Sequence, residues 1–90
     1  MAKTLSPLVV GNAVLVRLVT HYYTGRIVEL TDTEIVLEDA AWIADTGRFA
    51  DALAKGTLNE VEPFPGVVTL SRGAMVDATA WTHPLPREQK

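Results

Sequence analysis

The sequence contains no cysteine and only two histidines, His21 and His83. Without thiols the chain forms neither disulfides nor thiolate metal sites. With so few imidazoles, the nucleophile–base pairs on which most covalent catalysis depends are scarce. No glycine-rich phosphate-binding loop is present either. We therefore expect a protein that is not an enzyme and that carries no cofactor.

An excess of basic residues and long apolar runs are also lacking. Eight Lys and Arg residues against eleven Asp and Glu give a formal net charge of −3, so no overall positive field attracts phosphates. No run reaches the roughly 20 apolar residues of a membrane span, and no export signal is recognisable. The sequence predicts one domain over residues 1–90 that works in the cytoplasm.

Apolar residues, in contrast, are abundant and make up 48% of the 90 residues. A chain this short buries only a modest fraction of its surface. Self-association is one way of covering the remainder. We therefore expect copies of the chain to associate.

Alternation of apolar and polar residues predicts a mainly β protein. Ala13–Val19 is apolar on both faces apart from Arg17, as is typical of a strand that is covered on both sides. Gly25 marks a point at which a strand bends or lies close to another backbone. Five strands are predicted, over residues 13–19, 25–30, 34–38, 66–70 and 74–82.

Residues 40–66 interrupt this pattern and predict an insertion with one short helix over Arg48–Lys55. Asp45 or Thr46 is the predicted N-cap and Gly56 the predicted C-cap. Phe49 and Leu53 form a stripe that we expect to dock on the sheet or to recruit a protein partner. Residues 58–66 contain two prolines and predict an edge or a connection, and residues 84–90 predict a flexible, solvated tail.

Two stretches carry a resemblance to a known family. The first runs through Val14, Val16, Leu18, Gly25, Ile27, Asp32, Ile35 and Leu37, and the second is Leu70-Ser71-Arg72-Gly73-Ala74-Met75-Val76. They resemble the two motifs of the Sm-like family, whose members form rings by pairing strand edges. The resemblance implies a small, strongly bent, five-stranded antiparallel barrel, Sm-like or SH3-like, with the helix inserted. Val36 stands where RNA-binding members carry a base-reading asparagine.

Arg72, Gly73, His21, Tyr22 and Tyr23 are the candidates for contacts to single-stranded RNA. The functional interpretation of the three aromatic residues is a stacking platform for bases, and the Arg-Gly step belongs to the second motif. Each also has a structural interpretation. The aromatic side chains suit packing across strands, and the guanidinium group of Arg72 suits carbonyl groups of a neighbouring subunit.

The candidate surface for association between copies lies in the last two predicted strands. Its residues are Val67, Val68, Leu70, Met75, Val76 and Trp81. Tryptophans in so small a domain mostly fill a core or an interface. The acidic residues Asp32, Glu34, Glu38 and Asp39 are interpreted as a solvated face rather than as a metal site.

Three functions remain open from the sequence. The first is a non-catalytic, homo-oligomeric Sm-like ring that serves as a structural or interaction module, because ring closure removes open strand edges. The second is a ring that binds RNA and does so in a salt-dependent manner. The third is a monomeric SH3-like adaptor that grips a peptide with its aromatic residues.

Overall fold

A computed structural model describes residues 5–90 of the chain. It contains one short α-helix, one turn of 3-10 helix and six strands. In chain order these are β1 (Ala13–Leu18), β2 (Tyr22–Leu30), β3 (Glu34–Asp45), α1 (Phe49–Lys55), β4 (Glu60–Pro63), β5 (Val68–Ser71), the 3-10 turn (Arg72–Ala74) and β6 (Met75–Ala80). Within residues 5–90, no helix has the length and apolar character needed to cross a membrane.

All strands belong to one antiparallel sheet, in the order β4-β3-β2-β1-β6. β5 pairs with the first part of β3, on the same edge to which β4 pairs further along. The mainly β prediction is confirmed, but the prediction of five strands is wrong because residues 60–63 form an additional one. Strand pairing among residues 5–90 does not close the sheet.

β3 is much longer than its alternation predicts, since it continues past Glu38 to Asp45. Ala40, Ala41 and Ile43 are all buried in this second half, so apolar and polar residues no longer alternate. Asp39 has a positive φ of 49° where the strand changes course. Because both faces of this half are covered, the sequence pattern did not reveal it as a strand. The predicted insertion over residues 40–66 therefore contains the end of β3 and all of β4 as well as the helix.

Gly25 lies where β2 packs closely against β3. A Cβ atom at this position would lie 2.9 Å from the Cβ of Leu37 and 3.3 Å from that of Ala40. The register between the two strands also shifts beside it, between Thr24 and Arg26. The predicted close approach at Gly25 is confirmed.

The sheet carries a hydrophobic core on each face. The first core contains Val14, Val16, Ile27, Ile35, Leu37, Ala40 and Leu70. The second contains Leu15, Ala41, Ile43, Ala52, Leu58, Val61 and Trp81. Alternate residues of β1 thus serve opposite cores, which confirms the prediction of a strand covered on both sides. Each fully buried Val, Leu or Ile contributes roughly 1.5–3 kcal/mol to the free energy of folding.

Helix α1 confirms the predicted helix and its C-cap, since Gly56 adopts φ 75° and donates its N–H to the carbonyl of Ala52. The predicted N-cap is wrong: Arg48 occupies that position without a side-chain bond. The buried helical residue is Ala52, whereas Phe49 and Leu53 each remain 37% exposed. The helix therefore docks through a smaller side chain than its apolar stripe predicts.

The segment expected to be a solvated tail makes specific contacts with the sheet. Arg87 donates hydrogen bonds to the carbonyls of Ala40, at 2.9 Å, and Phe64, at 3.0 Å. Lys90 exchanges two backbone hydrogen bonds with Val61 of β4, at 3.0 and 3.1 Å. These contacts join residues that are distant in sequence, so the local composition of residues 84–90 does not predict them.

Candidate assembly surface

The outer edge of β6 has no strand beside it among residues 5–90. Trp81 donates its backbone N–H to the carbonyl of Ala13, so the backbone groups of Trp81 point towards β1. Because backbone groups alternate in direction along an antiparallel strand, Ala78 and Ala80 direct theirs away from β1. β6 therefore offers free donors and acceptors next to small side chains.

The outer edge of β5 is open in the same way within the described residues. Arg72 donates its backbone N–H to the carbonyl of Thr33, so the backbone groups of Arg72 point towards β3. By the same alternation, Thr69 and Ser71 direct their backbone groups outward. β5 and β6 thus provide open edges at opposite ends of one sheet.

The outer edge of β4 is different because the chain covers it. Val61 is bonded on that side by Lys90. Pro63, two residues further along, has no N–H to offer. This confirms the prediction that the proline-containing segment lies at an edge.

An ion pair fastens β6 to β1. Arg17 and Asp77 are partners in the strand register, and Nε of Arg17 donates to the two carboxylate oxygens of Asp77 at 2.8 and 3.0 Å. The hydrogen bond from Arg17 lowers the pKa of Asp77 below its ordinary 3.8. The pKa of Arg17 is raised, first by Asp77 and then by Tyr22, whose ring centre lies 5.9 Å from the guanidinium carbon. The guanidinium carbon also lies 5.8 Å from the ring centre of Phe49.

Arg72 and Gly73 lie in the 3-10 turn between β5 and β6. Nη1 of Arg72 donates to the carbonyl of Thr31 at 2.5 Å, so the guanidinium group binds a carbonyl of its own chain. A Cβ atom at Gly73 would meet only Oγ of Ser71, at 3.6 Å. The arginine therefore holds this turn against the connection between β2 and β3.

The structure does not bring all three predicted stacking residues to one surface. His21 contacts Trp42 edge-on, with ring centres 5.2 Å apart. Tyr22 packs against the second core and meets the exposed Phe49 at 5.9 Å, whereas Tyr23 stacks on Phe64 at 6.1 Å beside the first core. Neighbouring residues of a strand point to opposite faces, so Tyr22 and Tyr23 do not form one platform. Their side chains serve internal packing.

The predicted association residues fall into three groups. Val67 and Val76 are 64% and 59% exposed. Val68 and Met75 are half-buried against the first core. Leu70 and Trp81 are each 4% exposed and belong to the cores of their own chain.

The acidic residues do not form a metal site within residues 5–90, where no group of three or more His, Asp or Glu side chains has a suitable arrangement. Glu38 lies 3.9 Å from Arg26, and Asp39 lies 4.0 Å from Arg87. Both carboxylates thus have basic neighbours at the surface.

Sequence reasoning missed a groove at the end of the sheet where β2 begins and β3 ends. It has a volume of about 270 Å³. The residues that line it are Thr20, His21, Tyr22, Trp42, Ile43, Ala44, Asp45 and Thr46. The tandem aromatic residues were a signal for it, but the strand that carries Trp42 was not predicted.

Comparison with known proteins adds no identification, because no family model, curated protein or solved structure matches this chain.

Proposed function

We propose that this chain is a non-catalytic assembly module whose copies pair through the outer edges of β5 and β6. The observation that carries the proposal is the presence of two open edges at opposite ends of one sheet, within the described residues. An open edge is a template for another strand, and natural proteins usually cover or charge it. Here small, uncharged side chains flank the outward-facing groups, namely Thr69, Ser71, Ala78 and Ala80.

Pairing of β5 in one copy with β6 in the next is heterologous, because two different surfaces meet. Such contacts produce a closed ring when the rotation between copies closes, and a filament when it does not. The resemblance of residues 70–76 to the second Sm-like motif favours the ring, and with it a small Sm-like barrel. That same stretch contains the end of β5, the 3-10 turn and the start of β6.

Apolar exposure next to these edges supports the same assembly. Val67 precedes β5 and Val76 lies in β6, and both are more than half exposed. Burial of apolar surface contributes roughly 25 cal/mol per Å². Residues that were candidates for RNA contacts are engaged within the chain, so RNA recognition is not part of the proposal.

The decisive experiment measures the mass of the purified protein in solution by light scattering behind a sizing column. We expect a defined multimer for the natural sequence. V76K places a charge at the proposed contact and should reduce the mass to that of a monomer. V28K is the matched control, because Val28 is also exposed but belongs to β2, which lies between β3 and β1 in the strand order.

A monomer for the natural sequence, or a V76K protein that remains a multimer, would contradict pairing through β6. Absorbance at 260 and 280 nm on the same peak tests whether the multimer carries nucleic acid. A multimer with excess absorbance at 260 nm would show bound nucleic acid and would favour the RNA-binding ring.

A further inference from the structure

The groove between the start of β2 and the end of β3 has the size of a small binding site. Its volume of about 270 Å³ is close to the lower end of typical small-ligand pockets, about 300 Å³. A single side chain or a small amine fits such a space. It lies apart from the outward-facing edges of β5 and β6, which contribute none of its lining.

Aromatic rings form one part of the wall. Trp42 and His21 meet edge-to-face, with an angle of 65° between their planes. Tyr22 also belongs to the lining, although its ring meets Phe49 on the opposite face of the sheet. The face of an aromatic ring carries partial negative charge and attracts cations, most strongly in tryptophan.

A carboxylate lies in the same lining. One oxygen of Asp45 accepts the N–H of Gly47 at 2.8 Å, which fixes the side chain and leaves its second oxygen for another donor. Thr20 and Thr46 add hydroxyl groups. The groove therefore combines aromatic surface with negative charge.

The neighbouring strand increases that negative charge. In the register between β3 and β4, Glu60 is the partner of Asp45 and Glu62 is the partner of Trp42. The ion pairs found among residues 5–90 involve Asp77, Glu38 and Asp39 instead. No lysine or arginine contributes to the groove's lining.

We propose that this groove binds an organic cation, in which an ammonium or guanidinium group contacts the Trp42 ring and the Asp45 carboxylate. An anion would be repelled by the three carboxylates, and a metal ion would find too few ligands. The same chemistry is offered by a free quaternary amine and by an arginine side chain of another protein, so the test includes both.

The test follows the indole N–H signals of the natural protein by NMR during titration with choline. Its neutral isostere 3,3-dimethyl-1-butanol is the matched probe, and sodium chloride keeps the ionic strength constant. The Trp42 signal should shift and saturate with choline, and the neutral alcohol should have little effect. Trp81 is 4% exposed in the second core and serves as the internal reference.

N-acetylarginine amide, titrated in the same way, distinguishes the source of the cation. Saturation by the arginine derivative alone supports a side chain of a protein partner, and saturation by choline alone supports a free amine. Equal shifts with choline and its neutral isostere, or no saturable shift with either cation, would overturn the proposal.

A charge-removing variant tests the role of the carboxylate. D45N keeps an oxygen that accepts the Gly47 N–H but removes the charge, and it should weaken cation binding about tenfold. D51N removes the same charge from the exposed first turn of α1, outside the groove, and should leave the affinity unchanged. Equal affinities of D45N and the natural protein would be incompatible with the proposed site.

Discussion

The β4 edge of the sheet is covered by the chain, whereas the β6 edge is open among residues 5–90. Along β4, Lys90 bonds the outward-facing groups of Val61, and Pro63 has no hydrogen to donate. Along β6, Ala78 and Ala80 direct their backbone groups outward without a strand beside them in residues 5–90. The C-terminal segment thus covers the β4 edge but not the β6 edge.

The comparison shows that edge protection here depends on distant residues. The cover on β4 comes from the segment after Trp81, which is anchored on the way by His83 and Arg87. β6 directly precedes that segment but receives no such cover. Its attachment to β1 relies on the ladder and on the Arg17–Asp77 pair.

The largest expected effect comes from placing proline on the two sides of β6. T79P removes an N–H that points to β1 and should destabilise the fold by about 3 kcal/mol, because it breaks a ladder bond and leaves a carbonyl unpaired. A78P removes an outward-facing N–H, so it should cost less stability and abolish the proposed pairing between copies. Urea denaturation and light scattering measure the two effects.

These two variants separate the inward and outward sides of one strand. Equal destabilisation by A78P and T79P would show that the assigned direction of the β6 backbone groups is wrong. A full multimer formed by folded A78P protein would argue against β6 as the pairing edge.

A smaller effect is expected from loosening the segment that covers β4. A Cβ atom at Gly56 would lie 2.7 Å from Cγ of His83, whose Nε2 lies 2.8 Å from the Leu53 carbonyl oxygen. G56A should therefore destabilise the protein by about 2 kcal/mol and accelerate hydrogen exchange of the Val61 amide. Part of this cost comes from the left-handed backbone, which disfavours alanine by about 1–2 kcal/mol.

G47A is the matched control for the cost of placing alanine in a left-handed backbone conformation. Gly47 also has a positive φ, of 69°, but a Cβ atom there would meet the flexible end of the Asn59 side chain at 3.1 Å. It should cost stability without selective exchange at Val61. The same exchange pattern in G47A and G56A would mean that His83 does not hold the covering segment in place.

The smallest expected effect concerns the ion pair on β6. Because Arg17 lowers the pKa of Asp77 in the folded protein, the pair stabilises the fold above the ordinary pKa of 3.8, and this contribution is lost as the pH falls through the lowered value. D77N should reduce the urea midpoint slightly at pH 7, since the pair is exposed to solvent. The difference from the natural protein should disappear in strong acid, and a difference independent of pH would contradict this account.

Local pattern predicted much of the framework. The two-sided apolar run of β1 and the helix that ends at Gly56 depend on residues near in sequence. Pro63 indicated an edge because proline lacks the hydrogen that a central strand needs. These features were predictable since their physical cause lies within the segment itself.

The second half of β3 and the candidate groove were not predictable in this way. Ala40 is buried in the first core, whereas Ala41 and Ile43 are buried in the second core with Ala52 of the helix and Leu85 of the C-terminal segment. Loss of alternation concealed the strand, and with it the position of Trp42 beside His21. The separation of Tyr22 from Tyr23 followed from strand pleating once β2 was known to begin at Tyr22.

By itself, the sequence determined a mainly β domain with a short helix, an acidic surface and no thiol chemistry, because composition and local periodicity act within a few residues. Only the tertiary structure decided which edges are covered and which remain open. That choice depends on where residues 83–90 find complementary backbone groups, and hydrogen bonds such as that between Lys90 and Val61 join parts of the chain that no local pattern connects.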